Sequence, residues 1–349
     1  MKVLFITDTH LKDSTVDINN SIFDQLIKYA KKHNIDTVFH AGDIFTSRKA
    51  QTELTLNAFT KILDEFNENG ITLYAIPGNH DKTDYESYDS FLDVYKHHPA
   101  FNLTKAPQSF IIDDKVNIVL LPYFDESTMY INELKKANNL TQPNMVNLLL
   151  THAAINGVKN NDGSKVQNAL TKVKFKKFDK VLVGHYHDIS EFNNIYYFGS
   201  AYQANFGEND KKGFLELTLK DDKVVFKHIN TQFNKYIKFK VDIAKETIES
   251  VAKKALQEKE NGNFVRIEII GEESVIKSVN TANLKKSGID VKLKQTDIIE
   301  GVEQIQVEGY NAFNESTIID EFKIFCADCD KKDEMLKYLK QQLKINSNE

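Results

Sequence analysis

Short apolar runs alternate with longer amphipathic ones from residue 2 to residue 78. "KVLFIT" (2–7), "TVFHAG" (37–42) and "TLYAIPG" (72–78) read as buried strands. Between the first two, "INNSIFDQLIKYAKKHN" (18–34) spaces Ile22, Leu26, Ile27 and Ala30 along one face of a helix. "ELTLNAFTKILDEFNENG" (53–70) has the same texture, with Gly70 as its stop. The order βαβαβ predicts a layered α/β domain.

Strand signals then crowd together: "FIID" (110–113), "VNIVLLPY" (116–123), "VNLLLTH" (146–152), "KVLVGH" (180–185), "IYYFGS" (195–200), "FLELTL" (214–219) and "VVFKHI" (224–229). That many strands predict two packed sheets flanked by helices. Near Asn234 the texture changes. Segments 236–243, 245–260, 264–271, 273–288 and 290–295 read β-α-β-α-β, a small second domain, and two helices are expected after Asn314.

Composition changes this picture little. A chain of 349 residues, 41% apolar and 27% charged, is an ordinary globular one. No apolar run approaches the roughly 20 residues of a spanning helix, and the N-terminus reads as a strand rather than an export signal. The expectation is a cytoplasmic protein with no membrane partner. The cysteines, Cys326 and Cys329, have no second Cys/His pair nearby and read as reduced thiols. The net charge is −5 and the only arginines are Arg48 and Arg266, so no global basic field draws the chain to a polyanion. Bound metal ions would have to supply much of that attraction.

The ends of the predicted strands carry the candidate chemistry. Five of them finish in Asp8-Thr9-His10, Gly42-Asp43, Gly78-Asn79-His80-Asp81, Thr151-His152 and Gly184-His185-Tyr186-His187. Strand C-termini are where open α/β sheets build sites. Gly78 would let the backbone turn tightly at its strand end. Residues i and i+2 of an extended segment point the same way, so Asp8 with His10, and His185 with His187, can converge. Carboxylate, imidazole and amide oxygen make a mixed O/N donor set that suits manganese, iron or zinc better than calcium. Seven candidates are too many for one tetrahedral ion. They suit two ions about 3.5–4 Å apart with a bridging carboxylate. Taken singly, each motif is weak or moderate: His152 alone is more often a core histidine, and Asp81 equally suits a helix N-cap.

Together, "DTH", "AGDIF", "PGNHD", "LTH" and "GHYH" resemble the motifs of the calcineurin-like metallophosphoesterase superfamily, over about residues 1–230. The resemblance implies two mixed β-sheets sandwiched between helices. It implies one metal held by Asp8, His10, Asp43 and His187, and another by Asp43, Asn79, His152 and His185. Manganese is the expected ion, with magnesium, iron or zinc as alternatives. His80 matches the histidine that contacts the phosphate and protonates the leaving oxygen, while a hydroxide made between the metals attacks phosphorus. Asp81 would support the ligands from behind.

Within the superfamily, "YYFGSAYQANFGENDKKGFLEL" (196–217) is similar to the stretch after the last metal histidines in SbcD-type nucleases, and "GDIFTSRKAQT" to their phage branch. In host cells a phage-encoded chain would be cytoplasmic too. The resemblance implies three domains: a nuclease at 1–233, an α+β DNA-capping domain at 234–310, and a helical segment at 311–349 docking on an SMC-like ATPase of the SbcC type. It further implies action on double-stranded DNA ends and single strands in recombination and repair, and a homodimer paired through helices within 50–98. There is one departure: Thr46 stands where many such nucleases carry histidine.

Arg48 and the basic run holding Lys172, Lys174, Lys176 and Lys177 are candidates for contacting DNA phosphates, although a solvated lead-in to the next strand explains that run more simply. The competing functions are a small-molecule phosphodiesterase or phosphoprotein phosphatase of the same superfamily, which would not need the last 120 or so residues, and a non-catalytic scaffold, which would be expected to have lost ligands.

Overall fold

A computed structural model of the chain describes residues 1–125, 128–158, 166, 170–221 and 223–295. The segment 311–349 expected to dock an ATPase, with Cys326 and Cys329, lies outside the described residues. The described chain divides into two compact units: Met1–Lys238 with Ala255–Arg266, and Phe239–Lys254 with the described residues from Ile267 onward.

The first unit begins as the periodicity predicts. β1 (Lys2–Ile6), α1 (Val16–His33), β2 (Thr37–His40), α2 (Glu53–Glu68) and β3 (Thr72–Ala75) follow in order. α1 closes on Asn34, whose left-handed backbone (φ 53°) returns its N–H to the last turn. α2 opens on Thr52, whose hydroxyl accepts from the Thr55 N–H at 3.2 Å. Next come β4 (Phe101–Leu103), β5 (Gln108–Ile112), β6 (Val116–Leu121), α3 (Thr128–Asn138), β7 (Val146–His152), β8 (Lys180–Gly184), β9 (Ser190–Phe192), β10 (Ile195–Tyr197), β11 (Gly213–Lys220) and β12 (Lys223–Asn230).

One sheet has the order β12-β11-β1-β2-β3-β4, the other β5-β6-β7-β8-β10-β9. In the first, β1, β2, β3 and β4 are parallel and β11 is antiparallel to β1; in the second, β6, β7, β8 and β10 are parallel. A strand of opposite sense also joins the second sheet, since β5 is antiparallel to β6. Both sheets are therefore mixed.

Val3, Phe5 and Phe39 from the first sheet form one buried cluster with Ile118, Leu120, Leu148 and Leu182 from the second. α1 and α2 cover the outer face of the first sheet through Ile22, Leu26, Phe59, Ile62 and Phe66. α3 covers the outer face of the second through Tyr130 and Leu134. The result is a helix–sheet–sheet–helix sandwich. The apolar stripe of α2 is thus used within its own chain, and the large apolar residues left exposed within 50–98 are Leu54, Tyr88 and Val94.

In the remaining chain, β13 (Tyr236–Asp242), α4 (Ile248–Glu260), β14 (Phe264–Gly271), α5 (Glu273–Ser278), α6 (Ala282–Lys286) and β15 (Asp290–Gln295) give a three-stranded sheet, β13-β14-β15. The helix expected over 273–288 is two short ones, because Val279 is extended (φ −68°, ψ 120°) between them. Val241, Ile267, Ile269, Ile276 and Ile289 are buried apolar residues of the second unit. No described helix is long and apolar enough to cross a membrane.

Candidate metal centre

The parallel strands aim their C-terminal ends at one place. Asp8 and His10 come after β1, Asp43 after β2, and Asn79 and His80 after β3. From the other sheet, His152 ends β7, and His185 and His187 come after β8. Asp8, His10, Asp43 and His185 have left-handed backbones, with φ of 51°, 44°, 57° and 95°. Side-chain-bearing residues rarely adopt that conformation, and it clusters at sites whose surroundings hold it in place.

The donor atoms form two groups. In one, the Nε2 atoms of His10 and His187 stand 3.0 Å apart, each 3.8 Å from Asp8 Oδ1. In the other, Asn79 Oδ1 lies 3.0 Å from His152 Nε2 and 3.1 Å from His185 Nδ1, which are 3.3 Å from each other. Asp43 Oδ2 faces both, 3.7 Å from His10 Nε2 and 3.4 Å from His152 Nε2. Two ligands held about 2.0–2.2 Å from one ion stand roughly 3.0–3.5 Å apart. The observed spacings are close to this, so the donor set fits two small divalent cations sharing Asp43.

The electrostatics divide the histidines: His10 and His185 favour the neutral form, and His152 holds a proton that a bound cation would have to replace. Burial alone would raise the Asp43 carboxyl, but the His152, His10 and His80 imidazoles hold it well below the usual carboxylate range. Burial alone would lower His152, yet Asp43 and Asp8 outweigh it and lift the imidazole to about 9. Burial pushes His10 and His185 down to about 4, so both favour the neutral, ligand-competent form.

His80 also brings a ring nitrogen within 4.8 Å of donor atoms of His10 and Asp43, and both its nitrogens have other partners. Nδ1 is 2.5 Å from the Thr46 carbonyl and Nε2 is 2.8 Å from Arg48 Nη2. The guanidinium can only donate, so Nε2 accepts and Nδ1 carries the proton given to Thr46. The His80 N–H donates to Asp43 Oδ1 at 2.8 Å. Thr46 therefore serves His80 through its main chain, while its hydroxyl donates to the His10 carbonyl at 2.7 Å. A carbonyl does not depend on the side chain, which makes the departure from histidine at this position tolerable for orienting His80.

Asp81 is fully buried and caps no helix. Its carboxylate accepts the N–H groups of Ile44 (3.2 Å), Phe45 (2.9 Å) and Gly78 (2.9 Å), tying the Asp43 loop to the Asn79 loop. Burial and Asp43 push it up to about 7 against the pull of those donors.

Gly78, expected to permit a tight turn, is required for space instead. A Cβ there would strike the backbone nitrogen and carboxylate of Asp43. Gly78→Ala is expected to displace Asp43 and lower turnover about a hundredfold, with a stability loss of about 1–3 kcal/mol. Turnover and thermal unfolding check this; a variant as active and stable as the parent would show that the loop yields freely.

Glu208 belongs to the site although the strand-end pattern does not single it out; it lies within "FGEND". It is buried, and its Oε1 lies 2.8 Å from His187 Nδ1 while Lys212 pairs with Oε2 at 3.0 Å. Burial would raise this carboxyl, but His187 and Lys212 hold it down at about 2. A carboxylate behind a ligand histidine fixes the ring and its basicity. Glu208→Gln is expected to weaken divalent-metal binding about 10–100-fold. Calorimetric titration with manganese tests it, and unchanged affinity would mean His187 is oriented by something else.

A cleft of about 480 Å³ opens over these groups. Its lining includes His10, Asp43, His80, His185 and His187, together with Lys12, Thr46, Tyr202, Tyr236 and Phe264. Arg48 is exposed beside His80. Lys172, Lys174, Lys176 and Lys177 are not brought there: they precede β8, at the strand end away from His185, around the buried rings of Phe175 and Phe178.

Residues 1–189, more than half of the chain and including all seven clustered side chains, match the calcineurin-like phosphoesterase family. The chain belongs to that family. It is accordingly a metal-dependent phosphoesterase, of a family that uses a dinuclear metal site. This phosphoesterase is 29% identical over 249 residues to exonuclease subunit 1 of Enterobacteria phage T4, covering 68% of this chain and 71% of the relative. It is 23% identical to an SbcCD nuclease subunit of Staphylococcus epidermidis, covering 64% and 68%. It is also 24% identical to the DNA double-strand break repair protein Mre11 of Methanosarcina mazei, covering 86% of this chain and 51% of that one.

Proposed function

We propose that this phosphoesterase is a DNA nuclease subunit that hydrolyses phosphodiester bonds in DNA end processing, recombination and repair. The observation that carries the reading is Asp43 Oδ2, within 3.7 Å of His10 Nε2 and 3.4 Å of His152 Nε2, with His80 beside it on the cleft. Three relatives named as an exonuclease subunit, a nuclease subunit and a DNA break repair protein support DNA as the substrate.

Asp8, His10, Asp43 and His187 would hold one ion, and Asp43, Asn79, His152 and His185 the other. Such ions neutralise phosphate charge and lower the pKa of water between them. The oxygen and nitrogen donors favour manganese, with magnesium, iron or zinc able to substitute. Around them, His80 faces the leaving oxygen, and its tautomer is set by Thr46 and Arg48. Lys12 lines the cleft where a flanking phosphate would pass. Asp81 and Glu208 keep the ligand loops in register. Lys172, Lys174, Lys176 and Lys177 take no part at the scissile phosphate.

Residues 234–310 are assigned to capping DNA, and 311–349 to docking on an SMC-like coiled-coil ATPase. Pairing of two copies would use the exposed apolar residues of the 50–98 region.

The test is hydrolysis by the manganese-loaded chain of DNA with defined ends, with and without the ATPase, beside a small chromogenic diester. Cleavage of DNA supports the reading. Hydrolysis of the small diester alone, even with the ATPase present, would replace it with a small-molecule phosphodiesterase.

A further inference from the structure

One wall of the cleft is aromatic. The rings of Tyr236 and Phe264 lie parallel, with centroids 4.5 Å apart and planes 17° from each other, and both line the same cleft as His10, His80 and His187. Phe206 meets Tyr236 edge-on at 4.9 Å, and the Arg266 guanidinium lies 4.2 Å from the centre of the Phe206 ring. All four residues belong to the first compact unit.

The ladder is anchored to the metal-type cluster. Gln203 accepts the Tyr236 N–H at 2.8 Å. Its amide donates to the carbonyls of Tyr236 (3.2 Å) and Glu208 (2.8 Å). Glu208 is the residue that fixes His187. The ring stack and the His187 imidazole are thus held by one polar network, which sets the distance between them.

Phe264 is 43% exposed, at the start of β14, in a chain that buries most of its large apolar side chains. Tyr236 covers one face of the Phe264 ring and the Lys259 ammonium lies 5.9 Å from its centre, yet the ring keeps much apolar surface in water beside a polar cluster. A ligand that carries a phosphate and a flat ring a few ångströms apart fits both walls at once. A nucleotide is that ligand. Bases inside a duplex are stacked on their own neighbours, so only an unstacked base can lie against the wall. Stacking of this kind is tolerant of sequence, because every base has a π-face.

We propose that Tyr236 and Phe264 form a stacking subsite for the base next to the scissile phosphate, so that the site takes a nucleotide from a single strand or a frayed end. The proposal rests on the nuclease reading above.

The experiment uses the full chain and an oligonucleotide with 2-aminopurine at the nucleotide flanking the cleaved bond. Binding to the parent chain is expected to quench its fluorescence, and Phe264→Ala and Tyr236→Ala are expected to lose most of the quench. Phe264→Leu keeps an apolar side chain but no ring, and is expected to lose it as well. Melting temperature and bound manganese confirm that each variant is folded and loaded. An abasic site at the same nucleotide is expected to raise the KM of the parent about tenfold and to raise that of Phe264→Ala no further. If DNA is cut and the variants match the parent on intact and abasic strands alike, the subsite is overturned while the nuclease reading stands. If the parent hydrolyses a small diester but neither binds nor cuts DNA, the nuclease reading fails and the subsite falls with it.

Discussion

Asp43→Asn is expected to lower phosphodiester hydrolysis by at least about a thousandfold, the loss expected when several kcal/mol of transition-state charge stabilisation disappear. The substitution changes one oxygen to an amide with almost no change of shape. Yet Oδ2 is the atom that faces both donor groups, 3.7 Å from His10 and 3.4 Å from His152. Its charge is also what keeps the buried His152 imidazole at about 9 against burial. Removing it takes a ligand from both ion positions, so bound manganese should fall together with rate. Metal content by elemental analysis and kcat/KM are read on the same preparation. Two bound metals with near-parental turnover would exclude a shared Asp43.

His80→Gln is expected to separate those two quantities. One His80 ring nitrogen lies within 4.8 Å of donor atoms of His10 and Asp43, but the two nitrogens are bonded to Thr46 and Arg48. Metal content should therefore be unchanged, while kcat on DNA falls about 10²–10⁴-fold, the usual contribution of a positioned general acid. To donate, Nε2 must first release Arg48 and take up a proton, since here it accepts from the guanidinium. The leaving group supplies the control. A nitrophenolate departs without a proton, so a chromogenic diester should lose far less than DNA, whose leaving oxygen is a poorly departing alkoxide. Equal losses on both substrates would show that His80 contributes by binding phosphate rather than by proton transfer.

Much of the site is legible in the chain because its logic is local. Each of β1, β2, β3, β7 and β8 is an apolar run with Asp, Asn or His at or just past its end, and parallel strands deliver those residues to one edge. Features that depend on distant partners are hidden from such a reading. Glu208 reaches His187 across 21 residues, and Lys12 and Phe264 meet at the cleft from opposite ends of the first unit. Gly78 matters through contact with Asp43, which no turn rule reveals. The hydrophobic pattern also passes over α3, β4 and β9. The two strands are three residues each, too short to show a period, and α3 has a broken stripe in which Glu133 is buried beside Tyr130 and Leu134. Asp81 shows the limit of reading capping from sequence: its neighbours suit an N-cap, but burial leaves its carboxylate to backbone N–H groups of two loops.

The centre stands on the seam of the sandwich. Asp8, His10, Asp43 and Asn79 come from one sheet, and His152, His185 and His187 from the other. Elsewhere the sheets are held face to face by side chains such as Phe5 and Leu148, which can slide and separate. Ions at the donor groups would rivet the two halves at one edge. The cofactor would then count among the cross-links of the fold, and unfolding is expected to begin at the far side of the sandwich, where a half-exposed ion pair between the N-terminal ammonium and Asp113 links the sheets.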